Sequence, residues 1–127
     1  RMALDGAYRL AIPIFATQIK EGIPCTINND GNQKRDYTFV DDVVNANILA
    51  ATNYDDFKGE VYNVGNGDNV SVNELVSMMG GQHSYGNKVI EPFETLADNS
   101  KIKKDLNWNP IGNLKNWIDK YMEKING

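Results

Sequence analysis

Twice in this chain a short β-prone run passes almost directly into a helix. The first is "KRDYTFV" followed by "DDVVNANILAAT", residues 34–52, and the second is "GEVYNVG", residues 59–65, with "SVNELVSMMGG" soon after at 71–81. Aromatic and β-branched residues give each run its strand character. The helices are marked by their beginnings. Asp41 and Asp42 suit the positive end of a helix dipole, with Asp41 able to cap, while Ser71 and Glu74 have the spacing of a capping box. Val44, Ile48 and Ala51 form a stripe along the first helix, and Gly80-Gly81 closes the second. Such alternation restricts the chain to an α/β arrangement.

The remaining segments fit that class. "PIFATQIKEG" reads as a helix with Pro13 in its first turn, Gly22 just past its end, and Ile14, Phe15 and Ile19 on one side. "PCTINN" is a short strand, and the following "DGNQ" carries Asp30-Gly31, a favoured hairpin signal before the strand "KRDYTFV". Two more helices, near 98–107 and 113–125, flank the breaker "NWNP". The reading is one α/β domain over residues 1–127, short strands with packed helices.

Composition removes several functions. At 127 residues with 41% apolar content, the chain can bury a core. A net charge of −4 argues against a nucleic-acid or anionic-membrane surface. Any bound anion must therefore be held by a few local cations. The single Cys25 excludes an internal disulfide and a cysteine metal cluster, and fits a reducing, cytoplasmic setting. No apolar run approaches the roughly 18 residues of a membrane span, and no signal peptide opens the chain. The sequon Asn69-Val70-Ser71 carries little weight without one. Because the first residue is Arg1 and not Met, the chain reads as an excised piece or a partly recorded one.

Four features could carry chemistry. In "VYNVGNGDNVSVNEL", strand, Gly-x-Gly and helix start have the shape of a dinucleotide-binding turn. Val70 stands where that pattern wants its third glycine, so Gly65 and Gly67 read better as turn residues. Tyr54 and Lys58 have the Tyr-x-x-x-Lys spacing in which a lysine beneath a tyrosine assists proton transfer. Here they follow a helix and run into Gly59, and a loop would not hold that geometry. His83 is the only histidine, in a polar loop with no metal-ligand partner, and Cys25 reads as a small core residue. The fourth feature is the pair Arg35-Asp36 entering the strand. Either Arg35 makes a surface ion pair, or its rigid fork of donors faces a phosphate or carboxylate. The residues alone leave both open.

Three blocks occur in order: "DGAYRLAIPIFATQIKEGIPCTINNDGNQKRDYTFVDDVVNANILAA", "GEVYNVGNGDNVSVNEL" and "EPFETLADNSKIKKDLNWNP". Together they resemble the C-terminal part of NAD-dependent sugar-nucleotide epimerases and dehydratases, the extended short-chain dehydrogenase family typified by UDP-glucose 4-epimerase. The resemblance covers essentially the whole chain, with Arg1 as the end of a Tyr-Gly-Pro-Arg loop. It implies that Arg35 binds the nucleotide diphosphate and that Tyr37 lies near the same pocket. Lys88 takes the place of a second diphosphate arginine, keeping the charge but losing the bidentate fork. Glu91 takes the acidic place that often meets the ribose. The strand residues Thr26, Ile27 and Asn28 would line the base, without the aromatic that family members often carry at Asn28. Asp41 and Asp42 become mainly structural.

The resemblance also implies what lies elsewhere. NAD and the catalytic Tyr/Lys pair belong to an N-terminal Rossmann domain that does not precede Arg1, so this chain would bind no cofactor or metal and be inactive alone. Its partners would be a nucleotide sugar and that Rossmann domain, whose sheet "GEVYNVG" would complete. Exposed apolar surface would leave an isolated piece open to self-association. The expected function is substrate binding for a UDP-glucose 4-epimerase-like enzyme. The alternatives are a dTDP- or GDP-sugar 4,6-dehydratase, a decarboxylase on the same scaffold, or a non-catalytic nucleotide- or protein-binding module.

Overall fold

A computed structural model describes residues 10–53 and 58–127. Along them run helix α1 (Ala11–Lys20), strands β1 (Cys25–Ile27) and β2 (Lys34–Arg35), and helix α2 (Val40–Thr52). Strand β3 (Val70–Ser71), helix α3 (Val72–Met79), strand β4 (His83–Tyr85) and helices α4 (Ser100–Leu106) and α5 (Leu114–Asn126) follow. The class is mixed α/β, as expected. The chain divides into two compact units, one from Arg1–Lys34, Ser71–Phe93 and Lys115–Gly127, the other from Arg35–Val70 and Glu94–Leu114.

In the first unit α1, β1 and α3 pack on one another. Their buried side chains are Ile12, Phe15 and Ala16, then Cys25 and Ile27, then Leu75, Val76 and Met79; α5 adds Ile118 and Met122. Helix α1 begins two residues before Pro13, which still sits in the first turn, where a missing N–H is harmless. The capping box of α3 forms in full: Ser71 Oγ accepts the Glu74 N–H, and the Glu74 carboxylate accepts the Ser71 N–H. Gly80 ends the helix at φ +77°. Gly81 is required by close approach, since a Cβ there would come 2.6 Å from Cys25 Sγ.

Asp30-Gly31 turns the chain but closes no hairpin. Strand β1 pairs in parallel with β4, Cys25 opposite His83 and Ile27 opposite Tyr85, while β2 pairs with β3. The start of α3 holds the turn instead of a neighbouring strand. Asn73 donates its N–H to the Gly31 carbonyl at 3.0 Å and its Nδ2 to the Asp30 carbonyl at 3.0 Å. Gln33 O accepts the Val72 N–H at 3.1 Å. His83, expected in a loop, lies in β4 with its Nε2 3.1 Å from the Asn73 carbonyl.

The second unit has its core at Ala46, Ile102, Leu106 and Trp108, with Leu49, Tyr62 and Val64 packed against it. Three expectations are corrected here. The run "KRDYTFV" contributes only Lys34 and Arg35 to a ladder, and α2 begins at Val40 with Phe39 as its N-cap, without a side-chain bond. Asp41, expected to cap, sits exposed in the first turn. The segment "GEVYNVG" joins no strand among the described residues. It is fastened by side chains: Tyr62 and Val64 pack inward, and Lys101 bonds the Glu60 carboxylate and the Val61 carbonyl while lying 4.8 Å over the Tyr62 ring.

The stripe on α2 faces solvent. Val44 and Ile48 are 50% and 55% exposed, while the helix buries Asp42 and Ala46. The buried face is the one that carries the hydrogen-bonded Asp42 carboxylate.

Candidate functional site

Asp36 of the Arg-Asp pair is bonded to backbone from two other segments. Its Oδ1 accepts the Asn66 N–H at 2.9 Å, and its Oδ2 accepts the N–H groups of Gly67 at 2.9 Å and Ala97 at 3.2 Å. Its own N–H donates to Thr95 Oγ1 at 3.3 Å. The ladder ends at Arg35, and the charge of Arg35 is felt at Tyr37. Burial raises its phenol pKa, and the Arg35 charge works in the opposite direction. Asp36 thus ties the backbone between Arg35 and Tyr37 to the glycine turn.

Asp42 is a second internal anchor in the same unit. It is 1% exposed, its carboxylate accepts the N–H groups of Ile111 and Gly112 at 2.9 Å each, and its carbonyl accepts Trp108 Nε1–H at 2.9 Å. Its role is structural, whereas Asp41 points to no described partner of this kind.

The other expected residues belong to the first unit. Thr26 is exposed on β1, bonded through its N–H and hydroxyl to the Gln18 side chain. Ile27 is fully buried, and its carbonyl accepts the Gly86 N–H at 3.1 Å, so its side chain belongs to the core. Asn28 follows the strand, exposed, with its carbonyl accepting from Gln33 Nε2 at 3.0 Å. Lys88 is exposed in a segment with no strand, although "KVI" has strand character. Glu91 Oε1 accepts from Asn29 Nδ2 at 3.1 Å and from Gln33 Nε2 at 3.2 Å. A carboxylate oxygen so engaged braces its own loop first.

Sequence reasoning passed over Asn29 and Gln33, which connect this group. Gln33 is 4% exposed, and its amide nitrogen joins Asn28 to Glu91. A signal existed for Asn29: asparagine is among the few residues that tolerate the left-handed region, and here it precedes an Asp-Gly turn. Its φ is +54°.

The Gly65-Gly67 turn does not fit a dinucleotide pyrophosphate. The N–H groups of Asn66 and Gly67 already donate to Asp36, so a carboxylate of the chain occupies the place an anion would need. A Cβ at Gly65 would lie 2.3 Å from Ala97 Cβ, and one at Gly67 would lie 2.6 Å from Asn99 Nδ2. Internal packing accounts for Gly65, and a left-handed φ of +77° accounts for Gly67. Tyr54 lies outside the described residues. Among the described residues no group of three or more His, Cys, Asp and Glu side chains could hold a metal, and no helix is long and apolar enough to cross a membrane.

The model of the NAD dependent epimerase/dehydratase family matches residues 4–65. The chain belongs to the NAD-dependent epimerase/dehydratase family. A putative UDP-glucose 4-epimerase of Methanocaldococcus jannaschii is 32% identical over 114 residues, 84% of this chain and 36% of that protein. A UDP-N-acetyl-alpha-D-glucosaminuronate decarboxylase of Bacillus cytotoxicus is 32% identical over 95 residues, 74% of this chain and 29% of that one. The fold superposes on a variant UDP-glucuronic acid 4-epimerase from Bacillus cereus, in complex with a fluorinated UDP-glucuronic acid and NAD, with a TM-score of 0.82. That likeness has 28% identity and covers 91% of this chain and 39% of the epimerase. The chain spans about a third of the length of these curated family members.

Proposed function

We propose that this chain is the nucleotide-sugar-binding part of an NAD-dependent sugar-nucleotide epimerase, with Arg35 as the ligand of the nucleotide diphosphate. The observation that carries this reading is the likeness, over nine-tenths of the chain, to an epimerase holding a UDP-sugar and NAD. Arg35 is suited to the task because its guanidinium presents a planar fork of donors, matched to phosphate oxygens. Tyr37 sits beside it. The pair rides on backbone that Asp36 ties to the Asn66-Gly67 turn, and a donor on fixed backbone binds an anion at a lower ordering cost. Lys88 makes its own contact with a nucleotide phosphate, as a point charge. NAD and the groups that move hydride and proton are supplied from outside these residues, by a Rossmann domain, and the chain alone catalyses nothing.

A sugar-nucleotide decarboxylase is the second reading, favoured by the Bacillus cytotoxicus relative at the same identity as the epimerase one. Both readings require the same diphosphate contact. Calorimetric titration of the chain with UDP, uridine and NAD tests the shared claim. UDP is expected to bind, with uridine much weaker and NAD without measurable heat. Equal affinity for UDP and uridine would remove the diphosphate from the reading.

A further inference from the structure

Asn29 carries three hydrogen bonds to one short segment. Its N–H donates to the Asn87 carbonyl at 2.8 Å, its Oδ1 accepts the Val89 N–H at 3.0 Å, and its Nδ2 donates to Glu91 Oε1 at 3.1 Å. The orientation of the amide is fixed by its partners. Turned over, it would set Nδ2 against a backbone N–H and Oδ1 against a carboxylate. The first two bonds fall on the residues immediately before and after Lys88. Asn29 makes these bonds from the left-handed region, at φ +54°. Such a conformation costs free energy for a residue other than glycine and persists where its surroundings hold it. Residues 87–91 form no strand, so no ladder fixes them; Asn29 supplies that constraint.

We infer that Asn29 is the positioning residue of Lys88, setting the backbone from which that lysine reaches a nucleotide phosphate. This rests on the proposed nucleotide-binding function and adds to it a residue that touches no ligand. A lysine on free backbone would contribute only a weak, screened attraction, whereas one held in place loses less freedom on binding. Glu91 acts with Asn29, its Oε1 shared between Asn29 and Gln33.

The test measures UDP affinity of the chain by calorimetry in Asn29→Gly, Lys88→Ala and the double variant. Glycine accepts φ +54° without strain, so the fold is kept while the side-chain clamp is lost. Lys88→Ala is expected to weaken UDP binding about three- to tenfold. Asn29→Gly is expected to lose a similar factor, and the double variant no more than Lys88→Ala alone. A purely structural Asn29 would give losses that multiply. In the unliganded chain, amide hydrogen exchange at Val89 is expected to be slowed in wild type and to quicken in Asn29→Gly. Wild-type affinity in Asn29→Gly, multiplicative losses, or unchanged Val89 exchange each overturn the inference. If Arg35→Ala still weakens binding in those cases, the nucleotide-binding reading stands without it. Absence of UDP binding by wild type overturns both.

Discussion

The Gly67 N–H donates to Asp36 Oδ2 at 2.9 Å, joining the strand entrance to the glycine turn 31 residues further along the chain. With the Asn66 and Ala97 N–H groups, it gives one carboxylate three backbone donors. An internal anion therefore fills the turn that resembles a phosphate cradle. The aspartate next to Arg35 in sequence thus fixes the backbone at that point of the chain.

Replacing Asp36 is expected to act on stability as well as on binding. Asp36→Asn keeps the shape but presents one of the three donors with an amide nitrogen, at a cost of about 1–3 kcal/mol. Asp36→Ala is expected to cost more. Urea unfolding reads the loss directly. A change under about 0.5 kcal/mol, the range of an ordinary surface site, would show that these bonds hold nothing.

Adjacent aspartates at the start of α2 are expected to behave differently. Asp42→Ala leaves the Ile111 and Gly112 N–H groups without their acceptor, and a loss of about 2–5 kcal/mol is expected. Asp41 is exposed within the first turn, where a carboxylate interacts only with the helix dipole, so Asp41→Ala is expected to cost under about 1 kcal/mol. Thermal unfolding of the two variants side by side tests this. Equal losses would contradict the assigned burial.

Local chemistry was legible in the sequence, and long-range pairing was not. The Ser71–Glu74 capping box, Pro13 in a first turn and buried Cys25 depend on neighbours in the chain or on side-chain character, and all three appear in the structure. Strand partners depend on distant residues. Asp30-Gly31 has the composition of a hairpin turn, yet Asn73 holds it, and β1 reaches across to β4. The α2 face was misleading because an apolar stripe reports hydrophobicity alone, whereas the buried face carries the Asp42 carboxylate with its two backbone donors. In the candidate site, Arg35 and Lys88 were singled out by resemblance to the family and not by any spacing of their own. The bracing residues Asn29 and Gln33 act through tertiary hydrogen bonds that no spacing encodes.

Acid is expected to remove stability through three carboxylates. Glu74 has its pKa lowered by the Ser71 N–H first and the Ser71 hydroxyl second, Asp30 by the N–H and side chain of Asn32, and Asp98 by the side chain and N–H of Ser100. A carboxyl whose folded pKa lies below its unfolded value stabilises the fold above the unfolded pKa. That contribution is lost as pH falls through the folded value. Stability from these groups should thus be level above about pH 5 and decline below about pH 4. Glu74→Gln, which can still complete a capping box, is expected to flatten that decline. Denaturant unfolding from pH 6 to pH 2.5 measures it; an unchanged acid limb in the variant would refute Glu74's share.

Tyr121 offers a test of the opposite sign. Its ring stacks on Trp117 with centroids 4.8 Å apart, and its hydroxyl is buried without a partner among the described residues. Burial accordingly raises its pKa. Tyr121→Phe keeps the stack and removes an unsatisfied polar group, so stability is expected to hold or rise by up to about 1 kcal/mol. A clear loss in thermal unfolding would show that the hydroxyl is bonded.

UDP titration of Arg35→Ala against wild type, at low and high salt, addresses the central claim most directly. A guanidinium on a diphosphate contributes a charge-assisted bond of roughly 1.5–3 kcal/mol. Affinity is therefore expected to fall about ten- to a hundredfold, with a weaker salt dependence in the variant. Arg35→Lys should recover part of the loss, because the charge returns without the fork. If Arg35→Ala binds UDP as tightly as wild type at both salt concentrations, Arg35 is not the diphosphate ligand.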